Sequence, residues 1–599
     1  MNQVTPRQEL GDPTSQRQSS RTLRAIDFFN EIDDATLILL ERHLTRLAIR
    51  AGGQLFAEGD ESDALYIVIA GRLEIRVADA GADDGMRPVA QIGAGEVVGE
   101  LGVLTGERRS AGVWAVRDTE LIMLGRMAFE TLMTESPKSI ISLTRLIARR
   151  LVNETKSRKA QPAISTVCLV PLSPAVNLDI LRDVIASGLD EIGTLKVLES
   201  DCADHTSDWF HREEEHHDSL LYVAEAGCSG WTQLCIRQSD LILLVVEPGD
   251  PRPDDKVIDY LNAFAGGRIC HLVTLQKADR DLPDPAPGWT HQISVRTRWN
   301  IALSTEEGRG RLARIASGRT VALVLSGGGA RGFAHLGVVK AIQDQGIPID
   351  QIGGTSMGAL LAGGIAMGWS VEAFRKRLYA TFIDVNPVGD YTIPLHSFAR
   401  GRRLSRLLRD HFMDAEARSL WLPFFCTASN LTRGDAVRLD KGPVWRIIRA
   451  SLSIPGLVPP VLNGRDVMVD GGLINNLPVD EMVKVNLGPV IGVDVGRAEG
   501  SFTLDPEVCE AGSARLLPSM SAPSIVGVLM RSATVAGETN NRGAEDVADH
   551  VLYPDVSGVS ILNWKAIDEM IDRGFECVNV TETRAQLTDV CSSYDISPR

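Results

Sequence analysis

Apolar and polar positions change their period several times along the 599 residues. Residues 1–22 hold Gln, Ser, Thr and Arg with no apolar period and predict a disordered tail. A helix is predicted from Leu23 over Phe28, Phe29 and Ile32, then from Leu37 to Leu47. Between Gln54 and Leu124 the pattern shortens to alternating runs with glycine turns, among them Ala64–Ile69, Leu73–Val77 and Gly112–Val116. Many short strands with turn signals predict a small β-barrel or sandwich. A helical pattern follows from Ala128 to about Val152, and the charged run Lys156–Pro162 reads as a linker. Residues 163–305 alternate strand-like runs (Thr166–Leu172, Thr194–Leu198, Leu241–Val246, Ile269–Leu275) with helical ones, the pattern of an α/β unit. Glu306–Arg311, charged and glycine-containing, reads as a second break, and the pattern from about residue 315 is α/β again. The expected units are a tail (1–22), a barrel domain (23–155), an intermediate α/β domain (163–305) and a C-terminal α/β domain (315–590).

Charge narrows the function classes. Lys and Arg number 62 against 78 Asp and Glu, a net charge of −16. Phosphate-backbone binding leaves a basic footprint, so no nucleic-acid partner is expected. Nine scattered cysteines, none in a CxxC pair, read as reduced thiols. The N-terminus lacks the apolar core of a signal peptide. The uncharged stretch Gln351–Val371 is long enough to span a bilayer, but its six glycines and Thr355-Ser356 read as buried strand, turn and helix. The expected location is the cytoplasm, with peripheral contact at the inner membrane surface as a candidate.

The chemistry concentrates in the C-terminal part. Thr320–Ser326 is a buried-strand pattern, followed by Gly327-Gly328-Gly329-Ala330-Arg331-Gly332 and then a helical run, Phe333–Gln343. A glycine turn between strand and helix presents backbone amides that bind anions or oxyanions. Gly327, Gly329 and Gly332 also fit the dinucleotide fingerprint, with Asp344 and Asp350 near the ribose-acid offset. That reading would make the chain an oxidoreductase. The next motif decides between them. Gly354-Thr355-Ser356-Met357-Gly358 lies between a strand and an apolar helix, the context of a nucleophile elbow. A serine is a weak nucleophile without a base. After His411 the next histidine is His550, in a polar stretch, so Asp470 is the better candidate. It ends the apolar run Asp466–Asp470 and enters the turn Gly471-Gly472. His335 reads as a core histidine.

These three motifs, with Ala450–Gly456, resemble patatin-like phospholipases over roughly residues 320–485. The resemblance implies a three-layer α/β patatin-like domain, a Ser–Asp dyad of Ser356 and Asp470, and an oxyanion hole from the amides of Gly327–Gly332. Each such donor is worth about 3 kcal/mol to the transition state. It implies a phospholipid or lysophospholipid substrate, ester hydrolysis through an acyl-enzyme, and no cofactor or metal required for catalysis. In the barrel segment, Gly99-Glu100-Leu101 and Arg109-Ser110 resemble the phosphate-binding cassette of cyclic nucleotide-binding domains, with Arg108 where that family has proline. A cyclic nucleotide is therefore a candidate regulator, Glu100 for the ribose hydroxyl and Arg109 for the phosphate. The whole order resembles the neuropathy target esterase group and its bacterial relatives. The alternative class is a ligand sensor or scaffold with an idle hydrolase domain. A homo-oligomer is compatible with either.

Two weaker signals remain. Leu395–Phe412 sets five arginines among leucines at helical spacing, expected as a packed helix with a solvated basic face in preference to a lipid-binding one. His211, Glu213–Glu215, His216 and His217 lack metalloprotease spacing and read as a solvated helix or loop.

Overall fold

The computed structural model describes residues 4–6, 44–78, 86–135, 164–205, 207–264, 268–393, 397–496 and 543–596. Residues 7–22 of the expected tail, the predicted helices from Leu23 as far as residue 43, most of the helix Ala128–Val152 and the linker Lys156–Pro162 lie outside these residues. Two expectations are corrected: Val4–Pro6 of the tail is a strand, and Leu44–Leu47, read as the end of a helix, belongs to the strand Leu44–Ile49, because Val4–Pro6 and Thr119–Gly125 supply antiparallel partners that local periodicity does not show. The chain divides into two compact units. One is residues 1–272 with 287–296, and the other is 273–286 with 297–599.

The first unit begins with the predicted barrel. Two antiparallel sheets order as Val4–Pro6, Leu44–Ile49, Thr119–Gly125, Ala64–Ala70, Val97–Val98, and as Gln54–Phe56, Gly112–Ala115, Leu73–Ala78, Met86–Ile92. Period-two alternation sends Ile49, Val68, Leu73, Val113 and Leu121 into one core. The α/β half of this unit has four parallel neighbours in the order Leu195–Leu198, Ser219–Val223, Thr166–Pro171, Leu241–Val246. Every residue of the last three is buried, as parallel strands covered on both faces require. Charge ties the halves together: the Arg117 guanidinium, from the turn before the last barrel strand, meets Glu214 at 3.1 and 3.0 Å, and Arg237 meets Asp118 at 3.0 Å. The histidine–glutamate run as far as His216 lies in a helix, Ser207–His216, with His217 just beyond it, and no metal-holding cluster exists among the described residues.

The second unit is built on a sheet ordered Val461–Asn463, Asp466–Asp470, Phe424–Asn430, Gln351–Thr355, Ala322–Leu325, Val490–Val493, His550–Leu552. Its centre is parallel, while Asp466–Asp470 runs antiparallel to Phe424–Asn430 and sets Asp470 opposite Ala428. Helices Ala334–Asp344 and Met357–Ala366 follow the two central strands. Helix Ile567–Asn579 crosses Ala334–Asp344 so closely that a Cβ on Gly337 would lie 1.9 Å from the Ile571 carbonyl oxygen. Glu306–Arg311 is not a break. It opens the helix Glu306–Ala316, because Thr305 caps the Gly308 amide and two glutamates occupy the positive end. Its arginines are held by a buried carboxylate: Asp350 accepts from Arg314 at 2.7 and 2.8 Å and from Arg311 at 3.3 Å. No helix among the described residues is long and apolar enough to cross a membrane.

Candidate active site

Ser356 sits between the strand Gln351–Thr355 and the helix Met357–Ala366 with φ 54° and ψ −119°. A non-glycine residue there is strained by about 1–3 kcal/mol, which the surrounding contacts must offset. Those contacts are specific. The Ser356 amide donates to Ser451 Oγ at 2.8 Å, and Ser451 Oγ donates to the Thr427 carbonyl at 2.7 Å. Glycines flank the turn because nothing larger fits: a Cβ on Gly354 or Gly358 would lie 2.6 or 2.3 Å from the Leu325 carbonyl oxygen. Thr355 Oγ1 donates to the Asn475 carbonyl at 3.0 Å, and Met357 packs where a Cβ on Gly332 would be.

Ser356 Oγ donates to Asp470 Oδ2 at 2.6 Å. Asp470 is fixed from three sides. Its amide donates to the Ser453 carbonyl at 2.9 Å, the Gly472 amide donates to Oδ1 at 2.8 Å, and Gly471 brings the chain against the Thr427 carbonyl, where a Cβ would lie 2.3 Å away. Burial raises its carboxyl to about 6, with the bonds from Ser356 and Gly472 pulling the other way. A carboxylate whose pKa is raised toward neutrality while it stays mostly ionised at pH 7, touching a strained serine, is matched to general-base work.

The glycine turn comes to the same place. A Cβ on Gly327 would lie 3.1 Å from Ser356 Cβ. Not every amide of the turn is available. Gly327 N–H donates to the Asn476 carbonyl at 3.2 Å, Ala330 N–H to the Ile561 carbonyl at 2.8 Å and Arg331 N–H to the Gly328 carbonyl at 3.3 Å. Gly332 lies inside the 3-10 turn Gly329–Phe333, and its carbonyl accepts from the Ala334 amide. Gly328 and Gly329 donate to no described residue. The dinucleotide reading loses its acids. Asp350 is fully buried in its arginine pairs, and Asp344 pairs with Lys340 on its own helix. His335 is buried as expected: Nε2 faces the Ser326 carbonyl at 2.8 Å, and burial lowers its pKa to about 4, so it is neutral. Ser451, Ser453 and Asn476 were not assigned roles from sequence. The only signal was that two of them lie in Ala450–Gly456 and the third in the loop after Asp470.

In the barrel, Glu100 and Arg109 are both buried, so they are not a surface ion pair. Arg109 donates to the Gly99 and Ala64 carbonyls at 2.9 and 2.6 Å and lies 4.2 Å over the Phe56 ring. Of the two adjacent arginines it is the inner one. Arg108 is exposed, on the Gly59 carbonyl at 2.8 Å, and Leu101 and Ser110 are exposed.

Known proteins match the chain in three places. Residues 323–483 match the Patatin-like phospholipase family, residues 46–136 the Cyclic nucleotide-binding domain, and residues 163–266 the Neuropathy Target Esterase family P-loop like domain. The C-terminal part is thus a patatin-like lipid hydrolase domain, behind a barrel of the cyclic nucleotide-binding type and an α/β segment. Among solved structures, a cyclic nucleotide-binding domain from Methylobacillus flagellatus KT is 23% identical, covers 25% of this chain and 85% of its own, and has a TM-score of 0.22. The human Patatin-like phospholipase domain-containing protein 6 is 29% identical over 516 residues, 75% of this chain and 37% of that protein. An uncharacterised NTE family protein of Mycobacterium tuberculosis is 31% identical over 588 residues, 94% of this chain and 96% of that relative. On this near full-length likeness, the chain belongs to the NTE, or neuropathy target esterase, family.

Proposed function

We propose that this lipid hydrolase cleaves carboxylic esters of lysophospholipids and phospholipids with Ser356 as nucleophile and Asp470 as base. The observation that carries the reading is the 2.6 Å bond from the strained Ser356 hydroxyl to a buried Asp470. The Asp470 carboxylate takes the hydroxyl proton as Oγ bonds to the acyl carbon. The carbonyl oxygen becomes an oxyanion and receives the Gly328 and Gly329 amides, at the positive end of the turn. The ester C–O bond breaks, and Asp470 returns its proton to the leaving alkoxide. Water then adds to the acyl-serine and gives a proton to Asp470. Release of the fatty acid passes that proton back to Ser356 Oγ. The bond from the Ser356 amide to Ser451 Oγ holds the elbow in place throughout.

The test is fatty acid released from lysophosphatidylcholine micelles and phosphatidylcholine vesicles by wild type and Ser356→Ala. Release by wild type alone is expected. Equal release by both, or none by either on both lipids, overturns the reading in favour of another nucleophile or an idle domain. A cyclic nucleotide as regulator of the barrel belongs to the same proposal, supported by the buried Glu100 and Arg109. Calorimetry with cyclic AMP and cyclic GMP should show heat that Arg109→Ala abolishes, and no heat with either nucleotide sinks it.

A further inference from the structure

The second unit exposes an apolar and cationic surface that the chemistry above does not use. Helix Val371–Leu378 ends in a π-turn, Tyr379–Val385, a form that recurs at functional places. Phe382 of that turn is buried, 5.4 Å from Phe333, the last residue of the glycine turn beside Ser356. The chain then leaves the core. Val385, Tyr391 and Ile393 are 40%, 69% and 79% exposed, unusual for three large apolar residues within nine positions. Next to them lies the helix Arg402–Phe412. Its leucines are packed as expected, with Leu404, Leu408 and Phe412 buried, while Arg402, Arg403 and Arg406 are exposed.

Hydrogen bonds join the two parts. Arg403 Nη1 donates to the Val385 carbonyl at 3.4 Å, and Asp390 accepts the amides of Arg402 and Arg403 at 2.8 and 3.1 Å. Asp390 therefore serves as a helix cap, and its charge is directed at the helix end. Residues 383–409 carry five arginines against Asp384 and Asp390, in a chain of net charge −16. A protein this acidic is repelled from anionic surfaces in general. A local cationic patch ringed with exposed Tyr and Ile is the composition that partitions into an anionic bilayer interface.

We propose that Val385, Tyr391 and Ile393, with Arg402, Arg403 and Arg406, dock this unit on an anionic lipid bilayer, beside the turn that faces Ser356. The idea rests on the lipid-hydrolase reading only for the bilayer's relevance, so binding is measured without hydrolysis. Full-length Ser356→Ala protein is co-sedimented with vesicles of phosphatidylcholine alone or with one-third phosphatidylglycerol, at low and high salt. The phosphatidylglycerol vesicles should bind at least tenfold more tightly at low salt, and salt should erase the difference. Adding Arg402→Glu and Arg403→Glu should weaken that binding at least tenfold, while Arg402→Lys and Arg403→Lys should stay within about threefold. Tyr391→Ser with Ile393→Ser, which changes no charge, should weaken binding to both vesicle types and tests the surface independently if the charge reversal impairs folding. Equal binding to both vesicles, or the serine pair and the glutamate pair both binding like their parent, overturns the proposal. So does loss of a dimer in the variants with vesicle binding intact, which would make the patch a protein interface. Failed docking with fatty acid release retained by wild type sinks this inference and spares the hydrolase reading.

Discussion

Acidification should switch off turnover in step with protonation of Asp470. Burial holds this carboxyl at about 6. Such a group is about nine-tenths ionised at pH 7 and about one-tenth at pH 5. Only the ionised form can take the Ser356 proton, so kcat/KM on a zwitterionic lysolipid should fall about tenfold between pH 7 and 5, with unit slope below 6. The same shift has a stability signature. Relative to the ordinary value of 3.8, it amounts to about two units, or about 3 kcal/mol of cost for carrying the charge in the fold. The folded value lies above the unfolded one. The group's contribution is thus fully present below about 3.8 and is lost as pH rises through about 6. Asp470→Asn removes that loss. At pH 7 the variant should be inactive yet more stable than wild type, by up to about 3 kcal/mol, and the gap should close toward pH 4. The assays are fatty acid release across pH 4.5–8 and paired unfolding midpoints over the same range. A profile flat to pH 5, or an inactive variant whose stability gap does not change with pH, would refute the reasoning.

Three further outcomes follow from single contacts. Ser451→Ala removes the acceptor of the Ser356 amide and the donor to the Thr427 carbonyl. Steady-state kinetics should show kcat down about tenfold or more with KM little changed, and thermal unfolding a loss of about 1–3 kcal/mol. Gly337→Ala forces a Cβ against the Ile571 carbonyl at the helix crossing, and should cost about 1–3 kcal/mol by denaturant unfolding. Asp350→Asn leaves Arg311 and Arg314 facing an uncharged partner in a buried site, and should cost about 3–5 kcal/mol. The wild-type Asp350 carboxyl is held low by the two arginines against its burial, so its stabilisation is present above the unfolded value and lost as pH falls through the folded one. The deficit of the variant should shrink at low pH.

The parts of the proposed reaction centre show in the sequence because they are local. A strand, a glycine turn and a helix in sequence fix both the elbow and the amide turn, and Asp470 announces itself by ending an apolar run in Gly471-Gly472. The strand Leu241–Val246 is equally plain, since a continuous apolar run buries on both faces, and Ile269–Leu275 is nearly so, broken only by His271 and Thr274. What failed was whatever depends on distant partners. The helix Glu306–Ala316 reads as a charged break until Asp350, far along the chain, is seen to hold its arginines. The tail after Thr581 carries few apolar residues, yet it forms a helix that buries Leu587 and Cys591. The polar stretch ending at His550 hid the strand His550–Leu552, because its partner, Val490–Val493, supplies the pairing. Ser451 looked like any serine near a helix end, and only the fold brings it within 2.8 Å of the Ser356 amide.

The central claim is that Ser356 is the nucleophile. The direct measurement is reaction of the full-length protein with a fluorophosphonate ester, followed by peptide mass spectrometry at pH 7.5 and pH 5. The account predicts one adduct per chain, on the peptide holding Gly354–Gly358, formed about tenfold more slowly at pH 5 and hardly at all in Asp470→Asn. An adduct on another residue, or labelling of Ser356 at full rate in Asp470→Asn, would contradict it.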